Sequence, residues 1–244
     1  TLFPDKHIVA TDISLPADSL FGDDALIMAM DVTSESSIAA VKQTLESEDI
    51  RAWAVVNNAG ISDFYPVSEK DKESLDRMFA VNAFGAVNMV RVFLPHLKET
   101  RGRVINISSE SVRLPAAFHP YAASKTALEA LSVSMRNELA LLGIRLCIVR
   151  PGAIDTPLLA DLYSLEERIG QGYYSDHLRK FAAKAPRQIR RIINPERVAS
   201  VVMKALKKEN PRRYYRVNNN PLLRFAQFLP HCVRDHFMMK MLKG

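Results

Sequence analysis

Cysteine is scarce in this chain: two residues among 244, Cys147 inside an apolar run and Cys232 near the C-terminal end. Two thiols so placed make neither a disulfide framework nor a metal-ligand spacing. That excludes a disulfide-stapled module, gives no reason to expect a metal, and points to a reducing, intracellular setting. No stretch approaches the roughly 20 consecutive apolar residues of a membrane span, and residues 1–7 lack the layout of a signal peptide. The chain therefore reads as cytoplasmic or peripherally membrane-associated, with no organelle indicated. Internal repeats and low-complexity segments are missing too. The net charge is +6, but the basic residues are dispersed. The densest clusters, Arg187 to Arg191 and Lys207 to Arg213, lack an aromatic stacking platform, so they read as solvated helix faces and nucleic acid is not an expected partner.

What the chain does have is a 48% share of hydrophobic side chains, enough for one α/β domain over residues 1–244 without a linker. Short β-rich runs alternate with longer segments of helical period, the pattern of parallel strands joined by crossover helices. The runs are His7 to Asp12, Ala25 to Val32, Ala52 to Val56, Arg103 to Ser108 and Ile144 to Val149. Each is nearly continuous in apolar residues, as strands covered on both faces must be. Helices are expected over Ser34 to Glu46, over Lys70 to Lys98 with a bend at Pro95, over Tyr121 to Leu142 with Gly143 as the stop, and from Pro195, capped by Asn194, to about Lys208. Arg213 to Val217 is a candidate last strand. The fold class is a doubly wound parallel sheet flanked by helices.

Tyr121 and Lys125 stand one helical turn apart. A phenol with an ordinary pKa of about 10 is a poor acid or base at neutral pH, but a neighbouring cation favours the phenolate and makes proton exchange feasible. Ser109 ends the fourth run, so its hydroxyl emerges at the carboxyl edge of the sheet, where ligands sit in such folds, able to steady a developing alkoxide. Ser108 and Ser111 are its rivals. Asn82 is polar in an otherwise apolar helical stretch, which calls for a reason. Asn57, Ala59 and Gly60 form a small-residue turn after the third run that lets a ligand approach the backbone. Asp12 ends the first run, where a carboxylate accepts bonds from ribose hydroxyls and repels a 2′-phosphate, favouring NAD over NADP. Asp31 either helps line that pocket or caps the following helix.

Together, Asn57-Asn58-Ala59-Gly60, Ser109 and Pro120-Tyr121-Ala122-Ala123-Ser124-Lys125 resemble the short-chain dehydrogenase/reductase family over nearly the whole chain. Trp53 to Ile61, Gly102 to Ser109 and Ala127 to Leu139 look most like its retinol, hydroxysteroid and 3-hydroxybutyrate dehydrogenase branch. The resemblance implies a Rossmann-type fold and an NAD-dependent oxidoreductase acting on the CH–OH group of a donor. Tyr121 would exchange the proton, Ser109 would orient the oxygen, and Lys125 would tune the tyrosine and bind the nicotinamide ribose. Asn82 would hold a water that links Lys125 to solvent. Aligned on the strand, the family pattern selects Ser109, twelve residues before Tyr121; a count of thirteen, common in the family, selects Ser108. Asp31 and Val32 resemble the pair that meets the adenine. Pro151, Gly152, Ile154 and Thr156 resemble the segment lining the nicotinamide, the last two facing its carboxamide.

The family's first strand and its glycine-rich, phosphate-holding turn have no counterpart here. The reading favoured is an N-terminally incomplete piece; the alternative is a variant that holds the cofactor poorly, a silent binding or regulatory protein. Residues 157–185 fall where the family carries a variable substrate lid, and their apolar side chains suggest a lipophilic alcohol or ketone such as a retinoid, steroid or hydroxyacid, in keeping with lipid metabolism. The tail, residues 221–244, mixes Phe225, Phe228, Phe237, Met238 and Met241 with Arg224, Arg234 and Lys240. It is an amphipathic candidate for peripheral membrane contact, and a homo-oligomer is expected.

Overall fold

A computed structural model describes residues 7–15, 25–113, 116–189, 191–221, 225 and 228–243. The expected apolar runs form parallel strands β1 (Ile8–Asp12), β2 (Ala25–Ala29), β3 (Ala54–Asn57), β4 (Arg103–Ile107), β5 (Arg145–Pro151) and β6 (Tyr214–Val217). They fall into two pieces: β1 pairs with β2, and the other four run in the order β3-β4-β5-β6. Among the described residues no strand bridges β1 and β3, so the gap falls where the sequence pattern leaves out a strand.

Side-chain alternation along the strands explains the layering. Val104, Leu146 and Ile148 face one side, where they meet Ile38, Val41 and Leu45 of α1 (Glu35–Ser47), Val90, Phe93 and Leu97 of α3 (Gly85–Glu99) and Leu139 of α4 (Pro120–Leu141). Their neighbours Ile105, Ile107, Cys147 and Val149 face the other side, against Val202, Ala205 and Leu206 of α7 (Glu196–Lys207). Successive strand residues point to opposite faces, so apolar residues at both parities demand helices on both, and this is why the runs read as continuous.

α2 (Lys72–Phe79) leads through a π-helical turn at Ala80–Phe84 into α3. Pro95 lies inside α3, which continues to Glu99, and a further irregularity, the π turn, sits at Asn82. Against the expectation that no stretch approaches a membrane span, the helical run Lys72–Glu99 is long enough and holds an 18-residue window of mean hydropathy 1.4. Its apolar residues have a different employment: Met78, Val90, Phe93 and Leu97 are buried in the core. α7 begins at Glu196 with Pro195, not Asn194, at the capping position and no side-chain cap; the Asn194 carbonyl accepts the Arg197 N–H at 3.1 Å. Residues 157–185 form α5 (Pro157–Tyr163) and α6 (Ser175–Lys184), and α8 (His231–Lys243) lies on α6, where Lys180 Nζ donates to the Lys243 carbonyl at 3.3 Å. Arg190, Arg224 and the side chain of Met241 lie outside the described residues.

Candidate active site

Proline at the first position of α4 is pre-organised for a helix start, and it places Tyr121 and Lys125 on the face that turns toward the end of β4. Both are buried, at 9% and 3% exposure. The Lys125 ammonium donates to the Ile107 carbonyl at 3.0 Å and lies 5.8 Å from the Tyr121 ring centroid. Ser109 acts on the Tyr121 phenol, opposing the effect of burial, and its Oγ accepts from the Ser111 N–H and hydroxyl at 3.2 and 3.0 Å. Ser108 turns the other way and donates to Glu129 Oε1 at 2.5 Å. The geometry therefore joins Ser109, with Ser111 behind it, to the tyrosine.

Burial dominates the proton affinities here, because it penalises whichever form is charged. The phenol is pushed up to about 12 by burial, with the Ser109 hydrogen bond pulling in the opposite direction. The Lys125 amine is pushed down to about 8 by burial. Burial therefore outweighs other influences on the resting phenol, while the Lys125 ammonium is held beside it by the Ile107 carbonyl. It lies near the ring, within the range of a cation–π contact.

Asn82 earns its polarity in another way. From the π turn its Nδ2 donates to the Ile61 carbonyl at 2.8 Å and to Ser124 Oγ at 2.9 Å, and its Oδ1 accepts the Ile61 N–H at 2.8 Å. It is a clamp between the turn after β3 and α4. A Cβ on Gly60 would lie 3.4 Å from both Asn82 Oδ1 and Lys125 Nζ, so these two polar atoms border the same small space.

That space opens into a cleft of about 580 Å³ lined by Asp12, Asp31, Val32, Asn57, Ala59, Gly60, Asn82 and Lys125 among others. An elongated ligand with an adenosine end suits it: carboxylates at the β1 and β2 ends, small residues along the β3 turn and an amine at depth. Asp12 accepts the Ser14 N–H at 3.2 Å. Asp31 accepts the N–H and hydroxyl of Thr33 at 2.8 and 2.7 Å, which holds its carboxyl below the usual range. The cap of α1 is Ser34, so the capping alternative for Asp31 reduces to the turn before the helix. Asn57 is committed to Asn106, donating at 2.8 Å. Tyr121, Ser109, Pro151, Gly152, Ile154 and Thr156 are not among the residues lining this cleft. Gly152 has a packing reason of its own, since a Cβ there would lie 2.2 Å from the Asn218 carbonyl oxygen. Ile154 bridges to Ile193, and Thr156 precedes α5.

Several participants were not singled out from sequence. Glu129 and Arg150 form a buried ion pair beneath Ser108, Arg150 Nε donating to Oε1 at 2.7 Å. Glu129 stands four residues beyond Lys125 on one helix face, and a carboxylate on a face otherwise occupied by buried residues was the available signal. His119 stacks between Phe64 and Tyr121, with centroid distances of 4.6 and 5.5 Å.

A family model described as short chain dehydrogenase matches residues 9–167, and the chain belongs to that family. It is 30% identical over 235 residues to estradiol 17-beta-dehydrogenase 2 of Rattus norvegicus, covering 87% of this chain and 60% of that protein. Over 224 residues it is 30% identical to retinol dehydrogenase 5 of Mus musculus, covering 84% and 70%. The chain thus spans well under the full length of the relatives it matches. Among solved structures, a short chain dehydrogenase from Burkholderia cenocepacia in complex with NADP superposes with a TM-score of 0.68 at 26% identity, covering 97% of this chain and 86% of that one. The hydroxysteroid and retinol resemblance is borne out. That neighbour's NADP leaves the preference for NAD resting on Asp12.

Proposed function

We propose that this chain carries the catalytic domain of an NAD(H)-dependent oxidoreductase for a lipophilic alcohol or ketone of retinoid, steroid or hydroxyacid type. The observation that carries the reading is the buried Tyr121 phenol with Ser109 acting on it and the Lys125 amine 5.8 Å from the centroid of the same ring. In reduction, the substrate oxygen lies between the two hydroxyls: Ser109 donates to it, and Tyr121 transfers its proton as charge develops. Bound NAD(H) supplies or accepts the hydride at the adjacent carbon. The Lys125 ammonium offsets the phenolate left behind, and the remaining lone pair of Asn82 Oδ1, beside Lys125, suits a water that relays the replacement proton. Asp12 selects against a 2′-phosphate, and Asp31, Val32, Asn57, Ala59 and Gly60 flank the adenosine half. Pro151, Gly152, Ile154 and Thr156 flank the nicotinamide, with residues 157–185 as the substrate cover.

The C-terminal helix extends the reading. Phe237 and Met239 on α8 and the preceding Phe225, Phe228 and Leu229 are exposed, beside Arg234, Lys240 and Lys243. These apolar and basic residues are spread around the helix rather than segregated on one face, and the helix packs on α6, within the segment read as the substrate cover. Exposed Phe84 and Leu141 offer apolar surface to a second copy. The deciding experiment is NADH oxidation with a panel of retinal, a 17-ketosteroid and acetoacetate. Turnover of at least one that is lost in Tyr121→Phe is expected. Failure of all three, together with no NADH binding, overturns the reading.

A further inference from the structure

Tyr65 stands out among the buried aromatic residues. It is 5% exposed, and its hydroxyl is sealed from solvent with no hydrogen-bond partner among the described residues. A buried tyrosine O–H normally finds a partner, because leaving one unmade costs the desolvation of the group. Its surroundings are specific. Tyr65 packs in one small cluster with Met78 and Tyr121, with Ile61 and Leu158 against it. Its backbone N–H donates to the Phe118 carbonyl at 3.0 Å, which ties it to the loop leading into Tyr121. Phe118 has a φ of 61°, a strained conformation for a bulky residue, and such strain persists only when the surroundings hold it. A compound that brings a carbinol or carbonyl carbon to Tyr121 reaches a side chain that shares this cluster with Tyr65.

We infer that Tyr65 is a specificity-determining residue whose O–H receives a second, uncharged oxygen of the substrate, a hydroxyl or carbonyl remote from the reacting one. This rests on the dehydrogenase reading and deepens it. The second oxygen is uncharged because its surroundings are anionic: Asp63, paired with Arg168 at 3.0 Å, Glu69 and Asp71 outnumber Arg168 and Lys70, which lies over the Tyr65 ring at 5.2 Å from its centroid, and they disfavour a carboxylate. Burial and the two aspartates raise the phenol above its ordinary value, so it stays a donor throughout the working pH range. A substrate with one oxygen leaves that donor unmatched.

The test is equilibrium binding by calorimetry, with and without NADH, to wild-type protein and Tyr65→Phe. Two matched pairs of differing oxygen spacing serve as probes: decahydronaphthalen-2-ol with decahydronaphthalene-2,6-diol, and 5α-androstan-17β-ol with 5α-androstane-3β,17β-diol. The wild-type protein is expected to bind at least one diol about tenfold more tightly than its mono-ol, the size of one well-made hydrogen bond. Tyr65→Phe should erase that preference without weakening the mono-ol. It removes only an unpartnered hydroxyl, so its melting temperature should be unchanged or higher. No preference for either diol in the wild type, or a preference that survives in Tyr65→Phe, overturns the inference. Because binding is read directly, a diol preference without any turnover sinks the dehydrogenase reading and leaves the role of Tyr65 standing.

Discussion

Ser108 donates to Glu129 at 2.5 Å on one side of the strand end, while its chain neighbour Ser109 acts on the Tyr121 phenol on the other. Adjacent residues leaving a strand point to opposite faces, so one of the two can serve the site and the other can only support it. Ser109→Ala should cut turnover by about 10²–10³-fold, the loss typical of a donor to a developing oxyanion, with little change in stability. Ser108→Ala should do the reverse, lowering unfolding free energy by about 1.5–3 kcal/mol because a charged acceptor loses its donor. Steady-state kinetics and urea denaturation of the two variants check this, and equal kinetic losses would reject the division of roles.

The buried phenol predicts an asymmetry between the two directions of reaction. With Tyr121 pushed up to about 12, the protonated form that reduction needs is present throughout the neutral range. The phenolate that oxidation needs is scarce there and grows with pH. Alcohol oxidation should climb steadily from pH 7 to 10, while carbonyl reduction stays nearly flat until Lys125 loses its proton near 8. Tyr121→Phe should lower both by about 10²–10⁴-fold, the usual worth of a general acid–base group, with NADH affinity nearly intact. An oxidation rate independent of pH would place the proton on another group.

Much of this was readable in the chain because the strands are buried on both faces and the tyrosine–lysine pair is local to one helix. Ile105 and Leu146 had to be apolar whichever way they pointed, and Tyr121 and Lys125 share a face by helical spacing alone. What could not be read depends on contacts between distant residues. Asn82 finds Ile61, Glu129 finds Arg150, and Tyr65 enters the Tyr121 cluster only once the sheet and helices are in place. The burial that raises the phenol is of the same kind, since it is set by how much of the fold covers Tyr121. The π turn at Ala80–Phe84, which carries Asn82, is likewise without a local sequence signal.

Asp12 sits at the rim of the cleft, with its carboxylate bound to the backbone of Ser14. If it meets a ribose, Asp12→Ala should weaken NAD and relieve repulsion of a 2′-phosphate, shifting the NAD-to-NADP preference by at least about tenfold, or ~1.4 kcal/mol. Fluorescence titration with NADH and NADPH measures it. A ratio unchanged by the substitution would remove Asp12 from cofactor selection.

His119 provides a test that needs no substrate. Stacked between Phe64 and Tyr121, its imidazole is pushed down by burial to about 4 from an ordinary 6.5. The folded chain keeps it neutral, while the unfolded chain takes up a proton below about 6.5. Between pH 4 and 6.5 the unfolded state therefore binds more protons, so this group makes stability rise with pH across that window. The full effect is at most about 3 kcal/mol, with the benefit complete above 6.5 and gone below 4. His119→Phe preserves the ring stack and removes the titration. The difference in unfolding free energy between pH 4.5 and 6.5, measured by urea denaturation, should be smaller in the variant by about 2 kcal/mol, the part of the shift that falls inside that interval. If wild type and variant lose stability in parallel as the pH is lowered, His119 accepts its proton in the folded chain, and the aromatic wall beside Tyr121 is open to water.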